Sequence, residues 1–344
     1  MLEHGGRLRH AAAIYEIPLA EWLDLSTGIN PQGWPVPPLP PEQWARLPER
    51  EDELVSVAQA YYQTQALLPV CGSQAAIQAL PRLRSSCRVG LVHPSYAEHH
   101  QAWRQAGHQT QLLDETEIDG QLPKLDVLVL VRPNNPTGAL LPASQLLDWH
   151  QYLARRGGWL VLDEAFVDAT PEISLLPHLQ PGLIILRSLG KFFGLAGARV
   201  GFVSAESRLL SGIESLLGPW SVSGPARWVA TGALSDTAWQ KRTRHSLSLE
   251  SRRLHTLLTR NNLPPNGGCA LFQWVITPMA KPLHQALARQ GILVRLFENP
   301  ASLRFGLPGC ETNWQRLDSA LRQLTNTFTH RSEQDSTCCL EEKI

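Results

Sequence analysis

The sequence predicts an α/β protein whose main sheet is largely parallel. From about residue 52 onward, short apolar runs of strand length alternate with amphipathic segments of helical period. Such alternation is typical of parallel strands that are joined and covered by helices on both faces. Polar side chains come directly after several of the apolar runs, and ligand sites in such sheets lie outside the carboxyl ends of the strands.

The first 50 residues differ from the rest because they are rich in proline. Six prolines stand close together, at positions 31, 35, 37, 38, 40 and 41. Proline fixes φ and lacks a backbone N–H, so this stretch cannot form a regular helix or a central strand. We expect residues 1–50 to form an extended arm that wraps over the body of the protein or over a neighbouring subunit.

Residues 51–210 carry the alternating pattern and are predicted to form a large domain. Short apolar runs are typical of buried strands, and the longer segments between them have the period of helices. The predicted helices are Glu51–Gln63, Ser73–Leu80, Tyr96–Ala106 and Pro142–Arg155. The predicted strands are Val89–Val92, Gln111–Leu113, Asp126–Val131, Trp159–Leu162, Leu183–Leu186 and Val200–Val203.

After Ser211 the pattern changes, and residues 211–329 are predicted to form a small α+β domain. Its helices are predicted at Trp239–Asn261, at Pro282–Gln290 and from about Asn313 to Leu324. Its strands are predicted at Leu271–Ile276, Ile292–Phe297 and Ser302–Leu307. Residues 330–344 are polar and are expected to be a tail.

The composition excludes several classes of function. Lys plus Arg and Asp plus Glu both number 31, so no basic excess indicates nucleic acid or an anionic membrane as a partner. No apolar run reaches the ~18 residues of a membrane span, and the first residues lack the pattern of a secretion signal. The six cysteines, among them the adjacent Cys338 and Cys339, show no metal-ligand spacing. We expect a cytoplasmic protein with reduced thiols and no metal.

One segment carries the strongest chemical signal. Arg187, Ser188 and Lys191 stand between two apolar runs, and Arg199 follows eight residues after the lysine. Burial of an ammonium costs free energy unless the group is used, and an amine with a depressed pKa can form a Schiff base with a carbonyl. The Ser188 hydroxyl and the Arg199 guanidinium could then hold a phosphate. Together these residues indicate a site for pyridoxal 5′-phosphate (PLP).

Two further strand ends supply what such a site needs. Asp163 follows the run Trp159–Leu162, and its carboxylate could pair with the pyridinium nitrogen, which makes the ring an electron sink. Asp126–Val131 leads into a turn that contains Asn135, whose amide could donate to the ring oxygen O3′. The order and spacing of these groups are more specific than any one of them alone.

Longer motifs carry a resemblance to a known family. They are His4–Gly6, Leu25–Pro31, Leu162–Phe166, Arg187–Arg199 and Pro219–Val222. Over most of residues 1–325 the chain resembles the fold-type I PLP enzymes of the aspartate aminotransferase superfamily. Within that superfamily it is most similar to the threonine-phosphate decarboxylases of cobalamin (vitamin B12) biosynthesis. Histidinol-phosphate aminotransferases share nearly the same frame and are the alternative.

The resemblance implies a binding site for the cofactor phosphate. Gly72, Ser73 and Gln74 begin a predicted helix, whose free N–H groups and positive dipole end attract an anion. In the superfamily this turn holds the PLP phosphate. Ser188 and Arg199 would complete the site.

The resemblance also implies contacts to the cofactor ring. Tyr96 stands where the superfamily places an aromatic ring that stacks on the pyridine. Phe166 departs from the pattern, because many members have a tyrosine there whose hydroxyl donates to O3′. Asn135 would then act on O3′ alone.

Further residues resemble the contacts of the superfamily to its substrates. Arg304 occupies the position of the arginine that binds the substrate anion, and the planar guanidinium fork suits a carboxylate or a phosphate. Arg295 is a plausible second contact. The N-terminal segment adds the candidates His4, Gly5, Gly6 and Asn30. Which arginine holds the phosphate and which holds the carboxylate is open.

The resemblance implies decarboxylation of L-threonine O-3-phosphate to (R)-1-amino-2-propanol O-2-phosphate, with Lys191 and Asp163 as catalytic residues. A lyase and a transaminase use the same visible residues, so a histidinol-phosphate-type aminotransferase is the second hypothesis. A non-catalytic PLP-binding protein is the third, and the intact Lys191 disfavours it. The resemblance also implies a homodimer, in which Tyr61 or Tyr62 is a candidate for a residue contributed to the partner's site.

Overall fold

The computed structural model describes residues 4–324 of the 344-residue chain. These residues divide into two units. The larger unit is residues 32–247, and the smaller unit combines residues 4–31 with residues 248–324. The predicted tail with Cys338 and Cys339 lies outside the described residues.

The secondary structure alternates between strands and helices through most of the larger unit. The strands are β1 (Leu23–Leu25), β2 (Leu68–Val70), β3 (Arg88–Val92), β4 (Gln109–Leu113), β5 (Val127–Val131), β6 (Trp159–Asp163), β7 (Leu183–Ser188), β8 (Gly201–Ser204), β9 (Gly267–Cys269), β10 (Phe272–Ile276), β11 (Ile292–Phe297) and β12 (Ser302–Gly306). The helices are α1 (Leu8–Tyr15), α2 (Glu42–Ala45), α3 (Leu54–Tyr62), α4 (Gly72–Ala79), α5 (Ala97–Gln105), α6 (Ile118–Gln121), α7 (Ala143–Ala154), α8 (Ser207–Leu217), α9 (Gly224–Ser235), α10 (Thr237–Arg260), α11 (Ala280–Ala288) and α12 (311–324).

The larger unit is built on a seven-stranded sheet in the order β2-β8-β7-β6-β5-β3-β4. Strands β4, β3, β5, β6 and β7 pair in parallel, and β8 runs antiparallel to β7 and to β2. Every residue of β5 and β6 is buried, as expected for parallel strands that are covered on both faces. The mainly parallel sheet predicted from the sequence is confirmed.

One face of this sheet packs against three helices. Alternate residues of a strand share a face, so Val127 and Val129 of β5 point to the same core as Val161 of β6. Ala76 and Ile77 of α4 belong to this core, as do residues of α5 and α8. The packing holds α4 and α5 firmly, and the N-termini of these two helices lie at the carboxyl ends of β2 and β3.

The smaller unit contains a five-stranded sheet in the order β1-β11-β12-β10-β9. β1 pairs in parallel with β11, and the other neighbours are antiparallel. Ala11 of α1 and Trp22 pack against Ala288 and Leu293. The first 31 residues therefore contribute a helix and a strand to this unit, whereas the sequence predicted an extended arm over residues 1–50.

The boundaries of the units differ from the predicted domains in a second place. The predicted boundary after residue 210 falls before α8, whereas the boundary of the larger unit falls within α10, after Leu247. Helices α8 and α9 and strands β2 and β9 were not predicted. Among residues 4–324, no helix is both long and apolar enough to cross a membrane. The same residues contain no cluster of acidic, histidine and cysteine side chains that could hold a metal ion.

Candidate active site

Three adjacent strands bring the predicted cofactor residues to one edge of the large sheet. Val131 of β5 lies opposite Asp163 of β6, and Asp163 lies opposite Leu186 of β7. These parallel strands end together, so the turn with Asn135, the carboxylate of Asp163 and the segment from Ser188 to Lys191 meet at the same edge.

The N-terminus of α4 lies beside Arg199. Gly72 has φ +69°, and a Cβ built there would lie 2.7 Å from Nη2 of Arg199. A Cβ on Gly201 would lie 2.5 Å from the backbone nitrogen of Ser73, and Gly201 is the register partner of Ser188. The first turn of α4, Ser188 and Arg199 therefore surround a small concave site that tolerates only glycine at two positions.

This site has the donors that a phosphate needs. Arg199 is exposed, and its Nη1 donates to the carbonyl oxygen of Ala196 at 3.1 Å, which fixes the guanidinium. The first backbone N–H groups of α4 have no partner within the helix and point out of its N-terminus. A free phosphate dianion or a phosphate ester fits this set of donors, and the residues present fit the phosphate of PLP.

Asp163 has a buried histidine partner that the sequence did not reveal. Nε2 of His99 lies 3.0 Å from Oδ2 of Asp163, and both side chains are 4% exposed. The carboxylate only accepts, so Nε2 donates. Oδ1 of Asp163 accepts from the backbone N–H of Ala165 at 3.0 Å. These two bonds set the orientation of the carboxylate, and the only sequence signal for His99 is its place one helical turn after Tyr96.

Tyr96 is held at the N-terminus of α5 by a side-chain relay. Its hydroxyl lies 3.4 Å from Oε1 of Gln74, and Nε2 of Gln74 donates to Glu98 at 2.7 Å. Burial, with the nearby carboxylates of Asp163 and Glu98, raises the pKa of Tyr96 to about 12. The phenol therefore stays protonated at neutral pH. Gln74 was predicted as a cofactor contact, and its side chain here binds Tyr96 and Glu98.

The two asparagines of the turn after β5 have different environments. Asn134 is buried, and its amide donates to the carbonyl of Pro94 at 2.8 Å and to Thr137 at 2.9 Å. Its Oδ1 accepts from Ser95 at 2.7 Å. These bonds hold the turn in shape. Asn135, the predicted O3′ donor, is partly exposed at the same edge.

Lys191 lies over the ring of Phe166. Its Nζ is 5.3 Å from the ring centroid, and Phe166 is 3% exposed whereas Lys191 is partly exposed. An ammonium over an aromatic face is attracted by the ring quadrupole. Phe166 offers no hydrogen bond to the amine or to a ligand, so it positions Lys191 by packing.

Beneath these residues lies a buried ionic network. Arg187 donates to Glu164 at 2.8 Å and also to Asp168, and all three side chains are at most 2% exposed. Its guanidinium stacks on Tyr62 at 4.8 Å. The hydroxyl of Tyr61 donates to Asp168 at 3.3 Å. Tyr62 is 4% exposed and packs in the core of its own chain, so it does not suit the predicted role in a partner's site.

The smaller unit places two arginines side by side. Arg295 of β11 and Arg304 of β12 are direct register partners, and like charges directly opposite each other are unfavourable. Arg304 is 5% exposed, and burial lowers its pKa to about 10, while Arg295 lowers it further and Cys269 raises it. Its Nη2 donates to the carbonyl of Ser26 at 2.7 Å. An anion bound here would offset the repulsion between the two cations.

The N-terminal candidates lie near this pair. The hydroxyl of Ser26 accepts from the N–H of Gly6 at 2.8 Å and donates to Asp24 at 2.6 Å. A Cβ on Gly5 would lie 2.2 Å from the Ser26 carbonyl oxygen, the same oxygen that accepts from Arg304. The two glycines and the arginine are thus brought together through Ser26. The remaining two candidates are His4, which is exposed, and Asn30, which is buried.

Comparisons with known proteins agree with this arrangement. The family described as aminotransferase class I and II matches residues 43–323. A threonine-phosphate decarboxylase of Pseudomonas aeruginosa is 56% identical over 322 residues, which cover 93% of this chain and 97% of that protein. A histidinol-phosphate aminotransferase of Blochmanniella pennsylvanica is 32% identical over 205 residues, 56% of this chain and 55% of that protein.

Among solved structures, the fold is similar to that of the histidinol-phosphate aminotransferase from Sinorhizobium meliloti in complex with pyridoxal-5′-phosphate. The TM-score is 0.81 at 19% sequence identity, and the match covers 95% of this chain and 96% of that one. This likeness shows the fold that the alternating pattern of the sequence predicted.

Proposed function

The chain belongs to the aminotransferase class I and II family, and from this membership we propose that it is a PLP-dependent carboxy-lyase. The proposed reaction converts L-threonine O-3-phosphate into (R)-1-amino-2-propanol O-2-phosphate and carbon dioxide, a step of cobalamin biosynthesis. The observation that carries this proposal is the 56% identity to a threonine-phosphate decarboxylase over 93% of the chain.

The larger unit supplies the residues that would hold the cofactor. The first turn of α4 with Ser188 and Arg199 would bind its phosphate. When bound, PLP supplies a ring that accepts the electron pair left as a bond to the substrate Cα breaks. Asp163, oriented by His99, would bind the ring nitrogen, and Asn135 would donate to the ring oxygen.

The smaller unit supplies the residues that would bind the two anionic groups of the substrate. Arg304 and Arg295 offer two guanidinium forks at adjacent register positions. Two fixed anion contacts would hold the substrate so that its carboxylate, rather than its Cα hydrogen, is in the bond to be broken. This selection of one bond is what distinguishes a decarboxylase from an aminotransferase in our proposal.

Lys191 would move the proton that completes the reaction. Its Nζ lies over Phe166, in the segment that directly follows β7 at the edge where Asp163 also lies. Loss of carbon dioxide leaves Cα with an electron pair, and the Lys191 ammonium would transfer one proton to that carbon. The amine is then neutral and takes up a proton from solvent.

A second candidate is a histidinol-phosphate-type aminotransferase. The 32% identity to the Blochmanniella enzyme favours it, although that match covers only 56% of this chain. An aminotransferase needs a keto acid as the acceptor of the amino group, whereas a decarboxylase does not.

We further propose that the protein acts as a homodimer in the cytoplasm. A doubly charged amino-acid phosphate does not cross membranes, so enzyme and substrate would meet in the compartment where the substrate is made. Light scattering of the purified protein tests the dimer, and cell fractionation tests the location.

The activity test uses the purified holoenzyme with threonine phosphate. We expect release of carbon dioxide without any keto acid, and loss of this release in Lys191→Ala. An absolute requirement for 2-oxoglutarate would replace the proposal with the aminotransferase.

A further inference from the structure

Arg244 of α10 binds both chain segments that flank the Lys191 amine. Its Nε donates to the carbonyl oxygen of Asp168 at 3.0 Å, in the loop that follows β6. Its guanidinium carbon lies 5.3 Å from the centroid of the Phe192 ring, next to the lysine in sequence. Phe166, which lies under Nζ of Lys191, belongs to the same loop as Asp168.

Tyr61 strengthens this connection. Nη2 of Arg244 donates to the Tyr61 hydroxyl at 2.9 Å, and that hydroxyl lies 3.3 Å from Oδ1 of Asp168. Burial, and then the charge of Asp168, raises the pKa of Tyr61, so the hydroxyl remains protonated and can donate to the carboxylate while it accepts from the arginine. The Tyr61 ring also packs edge-on against Phe193 at 5.7 Å.

The loop is therefore held from two sides. Arg187 of β7 binds the Asp168 carboxylate from within the core, and Arg244 binds the backbone of the same residue. Phe192 and Phe193 are fully buried, so the segment that carries Lys191 cannot shift without moving Arg244 or Tyr61. None of these groups touches the cofactor edge itself.

We propose that Arg244 is a positioning residue, which clamps the loop bearing Phe166 to the segment bearing Lys191 and thereby sets the place of the lysine amine. The inference rests on the proposed role of Lys191 as the proton carrier. A shift of the amine by about 1 Å can reduce turnover on the order of 10²-fold, because proton transfer depends steeply on geometry.

The test compares Arg244→Met with Arg253→Met. Arg253 lies on the same helix, stacks on Trp314 at 4.4 Å and binds Glu311, so it reports the general cost of losing a stacked arginine from α10. The first readout is the midpoint of the pH titration of the cofactor absorbance, which needs no substrate. The second is turnover.

We expect Arg244→Met to move the titration midpoint beyond the spread between wild type and Arg253→Met. We also expect kcat and kcat/KM to fall together, on the order of 10- to 100-fold. Tyr61→Phe, which removes the hydroxyl between Arg244 and Asp168, should move both readouts in the same direction by less.

Two results would overturn the proposal. One is an Arg244→Met enzyme with the titration midpoint of the control. The other is a lower melting temperature with unchanged kcat, which is what a purely structural arginine gives. If the wild-type enzyme releases no carbon dioxide from threonine phosphate, the proposed function fails, and the titration still decides on the clamp.

Discussion

His99 donates a hydrogen bond of 3.0 Å to Asp163, and both side chains are almost completely buried. The two residues are 64 positions apart in the chain. They meet because α5 packs on the sheet with its first turn at the carboxyl end of β6. A carboxylate held in this way has one orientation in which to meet a ligand.

Removal of this bond is expected to reduce turnover. A hydrogen bond to a charged group contributes about 1.5–3 kcal/mol, so His99→Ala should lower kcat by roughly 10- to 150-fold. His100→Ala is the matched control, because His100 is its neighbour on α5 and binds Thr110 at 3.1 Å, away from the site. Equal losses in the two variants would remove His99 from the catalytic site.

The glycine at the start of α4 is expected to be essential for binding of the cofactor phosphate. Gly72→Ala would place a Cβ 2.7 Å from Nη2 of Arg199, and the arginine would have to move. Gly157→Ala is the control, because Gly157 has nearly the same φ, +70°, with nothing within 4 Å of its Cβ. Both variants carry the strain of a left-handed alanine, about 1–2 kcal/mol.

Only Gly72→Ala should also raise the dissociation constant of the cofactor, by on the order of 10-fold or more, since one charge-assisted bond contributes about 1.5–3 kcal/mol. The constant is measured by titration of the apoprotein with PLP. Equal affinity in the two variants would show that the first turn of α4 does not hold the phosphate.

Arg304→Lys is expected not to be conservative. Lysine keeps the charge but loses the planar pair of donors, so kcat/KM should fall roughly 10- to 150-fold. Looser binding should also raise the pyridoxamine phosphate formed per carbon dioxide released. Arg253→Lys, at an exposed ion pair with Glu311, serves as the control. A wild-type kcat/KM and partition ratio in Arg304→Lys would exclude Arg304 from the site.

The buried ionic network is expected to dominate the stability of the larger unit. Arg187→Met leaves the carboxylates of Glu164 and Asp168 buried without their cation, and breaking such a pair costs about 3–5 kcal/mol. Arg50→Met breaks an exposed pair with Glu214 and should cost at most about 1 kcal/mol. Urea unfolding measures both. Similar midpoints for the two variants would contradict this assignment.

The sequence could predict groups whose signal is local. Asp163 and Lys191 follow apolar runs directly, so the position of each at a strand end is visible from its neighbours. β1 gave no such signal, because it becomes a strand only by pairing with β11, far along the chain. β2 was missed because Pro69 stands in its centre, and the edge position of this strand is what tolerates the proline.

Pairs between distant segments could not be predicted. Nothing near His99 indicates that it binds Asp163, and nothing near Arg244 indicates that it binds the backbone of Asp168. The direct opposition of Arg295 and Arg304 depends on the register of two antiparallel strands, which the hydrophobic pattern of each strand does not specify between two rows of the same type.

Carbon dioxide release from L-threonine O-3-phosphate by the purified holoenzyme, with no keto acid present, tests the proposed activity most directly. We predict stoichiometric formation of carbon dioxide and (R)-1-amino-2-propanol O-2-phosphate over many turnovers, and none in Lys191→Ala. If product forms only when 2-oxoglutarate is added, and the amino group then appears on the keto acid, the enzyme is an aminotransferase and the proposed decarboxylation is wrong.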